Sequence, residues 1–127
     1  MFPCRVLPFA EANLRRLIAM TRDADRTNRD WATFLLSQSD IDTPEVRDTL
    51  VQAAGGDDAA TRAEAIWGLA RRDQDMALPL VQAALAGECV STPILEAAAL
   101  LARPSLIDNL RRWAKPSGDA YLDKVAA

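Results

Sequence analysis

Apolar residues recur along most of this chain at spacings of three and four, which is typical of one face of an amphipathic α-helix. Segment 58–71 shows the pattern clearly, with Glu64 and Arg71 along the edge of its apolar stripe. The stripe itself consists of Ala63, Ile66, Trp67 and Ala70. The corresponding stripe of segment 43–54 consists of Val46, Leu50, Ala53 and Ala54. No stretch alternates apolar and polar residues for long enough to predict a strand.

Proline and glycine mark the helix boundaries. Thr43-Pro44 and Thr92-Pro93 each combine an N-cap residue with a first-turn proline, whose missing N–H is not needed there. Gly55-Gly56 and Gly87 follow apolar runs, where a glycine can take the left-handed conformation that ends a helix. The predicted helices lie near residues 9–21, 26–38, 43–54, 58–71, 74–86, 92–102, 104–114 and 118–125. Segment 92–102 is apolar on almost every side, which predicts that it is covered by the last two helices or by a partner.

These helices repeat along the chain. NRDWATFLL (28–36) aligns with TRAEAIWGL (61–69) at an offset of 33, and LVQAA recurs at an offset of 30. A fainter copy places EAAALL (96–101) on EAIWGL (64–69). Self-similarity at a nearly constant spacing indicates a repeat architecture. Arg29 and Arg62 occupy equivalent positions, so we expect each to make the same hydrogen bonds or salt bridge between repeats.

The block from Arg29 to Leu85 resembles bacterial HEAT-repeat proteins of the short type, which includes the HEAT-like repeats of phycobilisome lyases. The shared pattern is Arg-x-x-Ala-x-x-x-Leu on the first helix, then Asp, then Ala-Leu-Pro-Leu on the second. The resemblance extends over roughly residues 25–114. It implies an all-α fold, an α-solenoid of about three HEAT-like helical hairpins with an atypical N-terminal cap and a short C-terminal helix.

The whole chain is expected to form one HEAT-like repeat domain, because its 127 residues suit a domain of ordinary size. The predicted parts, in order, are an N-terminal cap helix over 1–24, repeats over 25–56, 57–88 and 89–115, and a C-terminal helix over 116–127.

The charge balance is mildly acidic, with 15 basic and 18 acidic residues, which argues against a nucleic-acid binder. Cys4 and Cys89 have no metal-binding spacing and form at most one disulfide; in a reducing cytosol two separate thiols are expected. Prolines and Arg5 interrupt the N-terminal segment, which predicts no signal peptide. Nor is there a run of about 18 apolar residues, so we expect no transmembrane helix and a cytoplasmic location.

The candidate chemistry argues against an enzyme. The chain has no histidine, which removes the commonest general base and the commonest metal ligand. The acidic pairs at Asp40 and Asp42 and at Asp57 and Asp58 precede predicted helices, where carboxylates cap free N–H groups. Gly55-Gly56 has neither the strand nor the lysine of a phosphate-binding loop. We therefore predict no catalytic residues, no metal and no cofactor.

Protein binding is the predicted function, because the repeat architecture carries polar and aromatic residues on its helix surfaces. Trp67 lies between Glu64 and Arg71 on one helix edge, and tryptophan with arginine is the composition of interface hot spots. The competing interpretation is that the three tryptophans, Trp31, Trp67 and Trp113, fill gaps between helices. The candidate protein-binding residues are Arg47, Gln52, Glu64, Trp67, Arg71, Gln82, Arg111 and Arg112.

The leading hypothesis is thus a non-catalytic adaptor or regulatory scaffold that binds another protein or a peptide. One alternative is a nucleic-acid-binding module related to the HEAT-like DNA-alkylation-repair glycosylases, for which Arg111, Arg112 and Lys115 are the densest basic cluster. A second alternative is a structural domain that forms homo-oligomers through helix 92–102.

Overall fold

Seven α-helices and one 3-10 turn form the described part of the chain, which in this computed structural model is residues 8–113. The helices are α1 Pro8–Met20, α2 Arg26–Gln38, α3 Pro44–Ala54, α4 Ala59–Arg72, α5 Gln74–Leu85, α6 Thr92–Leu101 and α7 Ile107–Arg111, with the 3-10 turn Pro104–Leu106 before α7. No strand occurs between residues 8 and 113, and the predicted all-α class is confirmed. The predicted helix 118–125 lies outside the described residues.

Consecutive helices pair into helical hairpins, and the hairpins stack on one another. The first helices of successive hairpins, α2, α4 and α6, contact one another in chain order, and the second helices α3 and α5 each pack against α4. Helix α1 packs against α2 at one end of the stack, and α7 contacts α5 at the other. This arrangement is the predicted α-solenoid of helical hairpins. The repeat limits proposed from the sequence stay a prediction.

Helix α4 is the centre of the stack, since it packs against α2, α3, α5 and α6. Its buried surface is wider than the predicted stripe, because four neighbours cover it. The buried residues of α4 are Ala63, Ala65, Ile66, Gly68, Leu69 and Ala70. Trp67 is partly buried and packs against this core.

Helix α6 is covered from within the chain. It packs against α4 and α5 and buries Ile94, Leu95, Ala97, Ala98 and Leu101. Ala99 and Leu100 remain exposed on its outer side. The cover therefore comes mainly from the two preceding helices, whereas the sequence pattern suggested the last two helices or a partner.

Most helices begin at a side-chain cap. Asp25, Thr43, Asp58 and Asp73 each accept a hydrogen bond from an amide in the first turn of the following helix, which satisfies an N–H without a helical partner. The Thr43-Pro44 start is confirmed. The predicted cap Thr92 is wrong by one residue: it is the first residue of α6, and Ser91 precedes it without a side-chain cap hydrogen bond.

The glycine helix ends predicted to be left-handed are not left-handed. Gly55 ends α3 with φ −99°, and its amide bonds to the carbonyls of the last turn without leaving negative φ. The left-handed cap is instead Ala102 after α6, at φ 47° and ψ 41°. Pro104 disfavours helix at Arg103, which is extended, so the chain must turn sharply one residue earlier. The predicted helix 104–114 accordingly divides into the 3-10 turn and the short α7.

Arg29 and Arg62 do make equivalent hydrogen bonds, although the acceptors differ from the expectation. Arg29 Nη1 donates to the carbonyl of Asp23 at 2.9 Å, and Arg62 Nη1 donates to that of Gly56 at 2.8 Å. In both cases the acceptor lies six residues earlier, in the loop that leads into the arginine's own helix. These arginines therefore shape the connection between repeats and do not cross from one helix to another.

The stack is tightest where α2 meets α4. A Cβ atom on Gly68 would lie 2.7 Å from Ser37 Oγ, 2.9 Å from its Cβ and 3.1 Å from its Cα. The Ser37 hydroxyl also donates to the Glu64 carbonyl at 2.9 Å, which fixes the register of the two helices. Glycine is required at this position because the two backbones leave no room for a side chain.

Replacing Gly68 with alanine should therefore destabilise the fold. Alanine gains about 1 kcal/mol in helix propensity, but overpacking against Ser37 costs about 1–3 kcal/mol, and we expect a net loss in the free energy of urea unfolding. Gly55→Ala is the control, because the nearest atom to its added Cβ is 3.7 Å away. A Gly68→Ala protein as stable as wild type would show that the helices separate at no cost.

Arg72 joins the end of α4 to the end of α2. Its guanidinium donates to the carbonyls of Leu36, Ser37 and Gly68, at 2.9, 3.3 and 2.9 Å. It also donates to the carbonyls of Ser39 at 2.6 Å and Ile41 at 3.1 Å. Helix ends leave carbonyls without helical partners, and here one side chain serves several of them. Burial, with Arg71 beside it, lowers the pKa of Arg72 below its ordinary value.

Lysine cannot replace this planar set of donors. We expect Arg72→Lys to lower the free energy of unfolding by about 1–3 kcal/mol, because several half-buried carbonyls lose a charged donor. Arg111→Lys is the matched control: Arg111 is exposed and forms one ion pair, with Asp108 at 3.3 Å. Equal losses in the two variants, measured by urea unfolding, would contradict this role for Arg72.

Candidate functional site

Helix α2 buries Leu36 together with three small residues, and it leaves three other large apolar residues exposed. The buried residues are Ala32, Thr33, Leu36 and Ser37, and within the described residues the Thr33 hydroxyl has no hydrogen-bond partner. Trp31 is 59% exposed, Leu35 48% and Phe34 36%. The close approach of α4 at Gly68 requires a small residue at Ser37, and Leu36 beside it is fully buried in the core. Large apolar residues grouped on the outside are the kind of surface that marks an interaction site.

Two aromatic rings and two carboxylates surround a cleft between α2 and α4. Its lining residues, which define what we term the α2–α4 cleft, are Thr27, Asp30, Trp31, Phe34 and Glu64. The cleft has a volume of about 340 Å³. The rings of Trp31 and Phe34 meet edge to face, with centroids 5.9 Å apart and planes at 90°. This geometry is favourable for aromatic pairs and holds both side chains in place.

The cleft is acidic. Glu64 is partly buried, and its pKa is raised, first by burial and second by the nearby Glu96 carboxylate. Asp30 accepts a hydrogen bond from the Thr61 hydroxyl of α4, which fixes its position. Among the described residues, neither Glu64 nor Asp30 forms an ion pair. The Thr61 hydroxyl that bonds to Asp30 also bonds to Asp58, which pairs with Arg26, whereas Glu64 lies beside the Glu96 carboxylate.

The three candidate residues on α4 lie along one side of that helix, as predicted, but they differ in what they contact. Glu64 lines the α2–α4 cleft. Trp67 is partly buried against the core, and the Arg71 guanidinium lies over its ring, 4.9 Å from the centroid. Arg71 also donates to the Ser37 carbonyl at 2.7 Å and pairs with Asp40 at 3.2 Å. Arg71 thus contacts both the end of α2 and the ring of Trp67.

The candidates on the second helices are separate from this group, and Arg47 and Gln52 are engaged with other side chains. Arg47 pairs with Asp42 at 2.7 Å and Asp73 at 3.1 Å, so it joins two loops. Arg47 in turn lowers the pKa of Asp42. Gln52 accepts a hydrogen bond from Arg22 at 3.1 Å. Gln82 is partly buried on α5.

The candidates at the C-terminal end of the described chain cluster around Trp113. Arg112 lies over the Trp113 ring, 4.8 Å from its centroid, and donates to the Ala86 carbonyl at 3.0 Å. The Trp113 indole N–H donates to the Leu85 carbonyl at 2.9 Å. Arg111 is exposed and pairs with Asp108. Trp113 therefore packs α7 against α5, in agreement with the interpretation that it fills a gap between helices.

Two other cavities carry less chemistry. A cavity of about 160 Å³ next to the α3–α4 loop is lined by Arg22, Arg29, Gln52 and Asp58, whose side chains already bond within the chain. A groove of about 590 Å³ between α4, α5 and α6 is lined mainly by alanine and aliphatic side chains, with exposed Cys89 at its edge. Neither cavity is lined by an aromatic ring. Cys4 lies outside the described residues.

Metal sites and membrane-spanning helices are both absent from residues 8–113. No group of three or more cysteine, aspartate and glutamate side chains is placed to hold a metal ion there. No helix within that range is both long enough and apolar enough to cross a bilayer.

The sequence patterns missed Trp31, Phe34 and Leu35 as candidate binding residues. Their spacing of three and four is that of a buried stripe, and the self-alignment placed Phe34 on Trp67, which packs against the core. The sequence did contain a signal for this exposure: α2 carries a second stripe of residues that can be buried. That stripe consists of Ala32, Thr33, Leu36 and Ser37. Only one of two stripes on a helix can face a single neighbouring layer.

The comparison with known families agrees with this architecture. Stacked helical hairpins with a repeat offset of about 33 residues define a helical-repeat protein. The family of HEAT repeats matches residues 14–102, which is more than half of the chain. The chain therefore belongs to the HEAT-repeat family. Among curated proteins, no sequence matches it.

The ionised carboxylate of Glu64 should lower the free energy of unfolding. Because its pKa is raised, the ionised form opposes folding at neutral pH, and Glu64→Gln should raise the free energy of unfolding by roughly a few tenths of a kcal/mol after solvent screening. The gain should be complete above the raised pKa, shrink as pH falls through it, and vanish below the ordinary value of 4.5, where wild type is also protonated. Urea unfolding at several pH values measures this.

The control for that experiment is Glu88→Gln, which removes one negative charge from an exposed loop. A gain in Glu64→Gln that is the same at every pH would show that the electrostatic explanation is wrong.

Proposed function

We propose that this chain is a non-catalytic protein-binding module whose docking surface is the outer face of α2 together with the α2–α4 cleft. The observation that carries the proposal is the exposure of Trp31, Phe34 and Leu35 beside one another on one helix. HEAT repeats commonly mediate protein–protein interaction, which supports the same class of function. The bacterial short-repeat subtype and the cytoplasmic location stay predictions from the sequence.

The position of these residues favours docking over packing. Tryptophan and phenylalanine offer large contact areas at little cost in side-chain entropy, and they are enriched in interface cores. They lie on a helix that is anchored to α4 through Ser37 and Arg72, so the surface is rigid. A rigid aromatic surface loses little freedom on binding, which favours affinity.

The alternative functions have less support in the geometry. Arg111 pairs with Asp108, and Arg112 is placed over Trp113, so these arginines are engaged within the chain. Helix α6, the predicted self-association surface, is largely covered by α4 and α5. Nucleic-acid binding and self-association are therefore outcomes to be tested, and protein docking is the proposal.

The test is photo-cross-linking with a diazirine amino acid in place of Gln38, an exposed residue near the end of α2. The full chain, with and without Trp31→Ala, is cross-linked in native lysate, and the products are quantified by mass spectrometry. We expect a protein partner whose yield falls at least about tenfold in Trp31→Ala, the loss expected when a hot-spot residue is truncated.

Val51→Ala is the matched control, because Val51 is 41% exposed on α3, in the other helix layer. Its cross-linking yield should equal that of wild type. A yield that falls in Val51→Ala and persists in Trp31→Ala would place the docking surface elsewhere. Cross-linking to a second copy, or to nucleic acid, would contradict the proposal in favour of the corresponding alternative.

A further inference from the structure

We propose that the α2–α4 cleft binds the lysine or arginine side chain of a partner peptide, with the cation held between the Trp31 ring and the Glu64 carboxylate. This inference rests on the proposed function and adds the chemistry of what docks. It follows from three features of the structure: how the other tryptophans are used, which charges line the cleft, and how the two helices hold the lining residues.

The chain already pairs arginine with tryptophan at two places. Arg71 lies 4.9 Å from the centroid of the Trp67 ring, and Arg112 lies 4.8 Å from that of Trp113. A cation over an indole face is stabilised by the ring quadrupole, and tryptophan is the best such ring. Trp31 is the third tryptophan, and no arginine or lysine among the described residues lies over it. Among the described residues it is also the most exposed large apolar side chain.

The charges beside Trp31 favour a cation from outside. Asp30 and Glu64 line the same cleft, and among the described residues neither has an ion-pair partner. The raised pKa of Glu64 reflects burial and the nearby Glu96 carboxylate, so a positive charge placed there would relieve an existing repulsion. An anionic ligand would add to that repulsion, and a neutral apolar ligand would leave it unchanged.

The lining residues are fixed before any ligand arrives. The Thr61 hydroxyl bonds to Asp30, the Phe34 ring meets Trp31 edge to face, and Glu64 projects from the helix that Ser37 holds against α2. Apolar contact with Phe34 suits the methylene stem of lysine or arginine, whose charged end can then reach the carboxylate. The expected partner segment is therefore a basic residue flanked by apolar residues.

The test uses two acetylated, amidated peptides, Ala-Leu-Lys-Leu-Ala and the same sequence with norleucine in place of lysine. Norleucine keeps all four side-chain carbons of lysine and removes only the amine. Each is titrated into the nitrogen-15-labelled full chain, and the indole N–H signal of Trp31, assigned from Trp31→Leu, reports binding. We expect the lysine peptide to bind about fivefold more tightly than the norleucine peptide.

Glu64→Gln should remove much of this preference, leaving the part due to Trp31 and Asp30, while the chain remains folded, since that change is expected to stabilise the fold. Glu88→Gln should keep the preference, because Glu88 does not line the cleft. Equal affinities of the two peptides in wild type, a preference that Glu64→Gln leaves undiminished, or no shift of the Trp31 signal up to millimolar peptide would each overturn the inference.

These outcomes are distinct from failure of the proposed function. If the two peptides bind wild type equally but a partner still cross-links only when Trp31 is present, the surface docks a protein without selecting a cation. Failure of both experiments would remove the docking surface as well.

Discussion

The close contact between α2 and α4 is the constraint on which the rest of this structure depends. Gly68 lets the backbone of Ser37 approach until no side chain fits between them, and the Ser37 hydroxyl bonds to the Glu64 carbonyl at that point. Because α4 also packs against α3, α5 and α6, its position relative to α2 carries through to the whole stack. A wider spacing would separate the helices on which the core depends.

Arginine side chains secure the ends of the same helices. Arg72 donates to carbonyls at the end of α2, and Arg71 and Arg103, at equivalent positions of successive repeats, pair with Asp40 and Asp75 of the preceding repeat. The exposed ion pairs contribute little individually, whereas the hydrogen bonds from Arg72 satisfy carbonyls that would otherwise lack partners. The chain's abundance of arginine therefore has a structural use at the helix ends.

The same contact creates the candidate site. Helix α2 turns Ala32, Thr33, Leu36 and Ser37 inward, so the large residues Trp31, Phe34 and Leu35 lie on the outer face, with Asp30 and Glu64 lining the adjoining cleft. Exposed aromatic rings and a half-buried carboxylate both lower the stability of the fold. Such local losses of stability are typical of functional sites. An arginine lies over the ring of Trp67 and another over the ring of Trp113, and both tryptophans pack within the fold. No arginine of the described residues lies over Trp31.

The helices, their pairing into repeats and most of their starts could be predicted from the amino-acid sequence, because 3.6-residue periodicity, Asp and Thr caps and a recurrent offset are patterns of the chain alone. The sequence also placed Trp67 and Arg71 on one helix edge. It did not determine which of the two stripes of α2 faces inward, nor that Ala102 and not a glycine takes the left-handed conformation. The first depends on α4, which is distant from α2 in the chain. The second depends on the sharp turn before Pro104. The inward stripe of α2 is settled by its packing on α4, where Ser37 meets Gly68 and Leu36 is buried while Trp31 and Phe34 stay exposed.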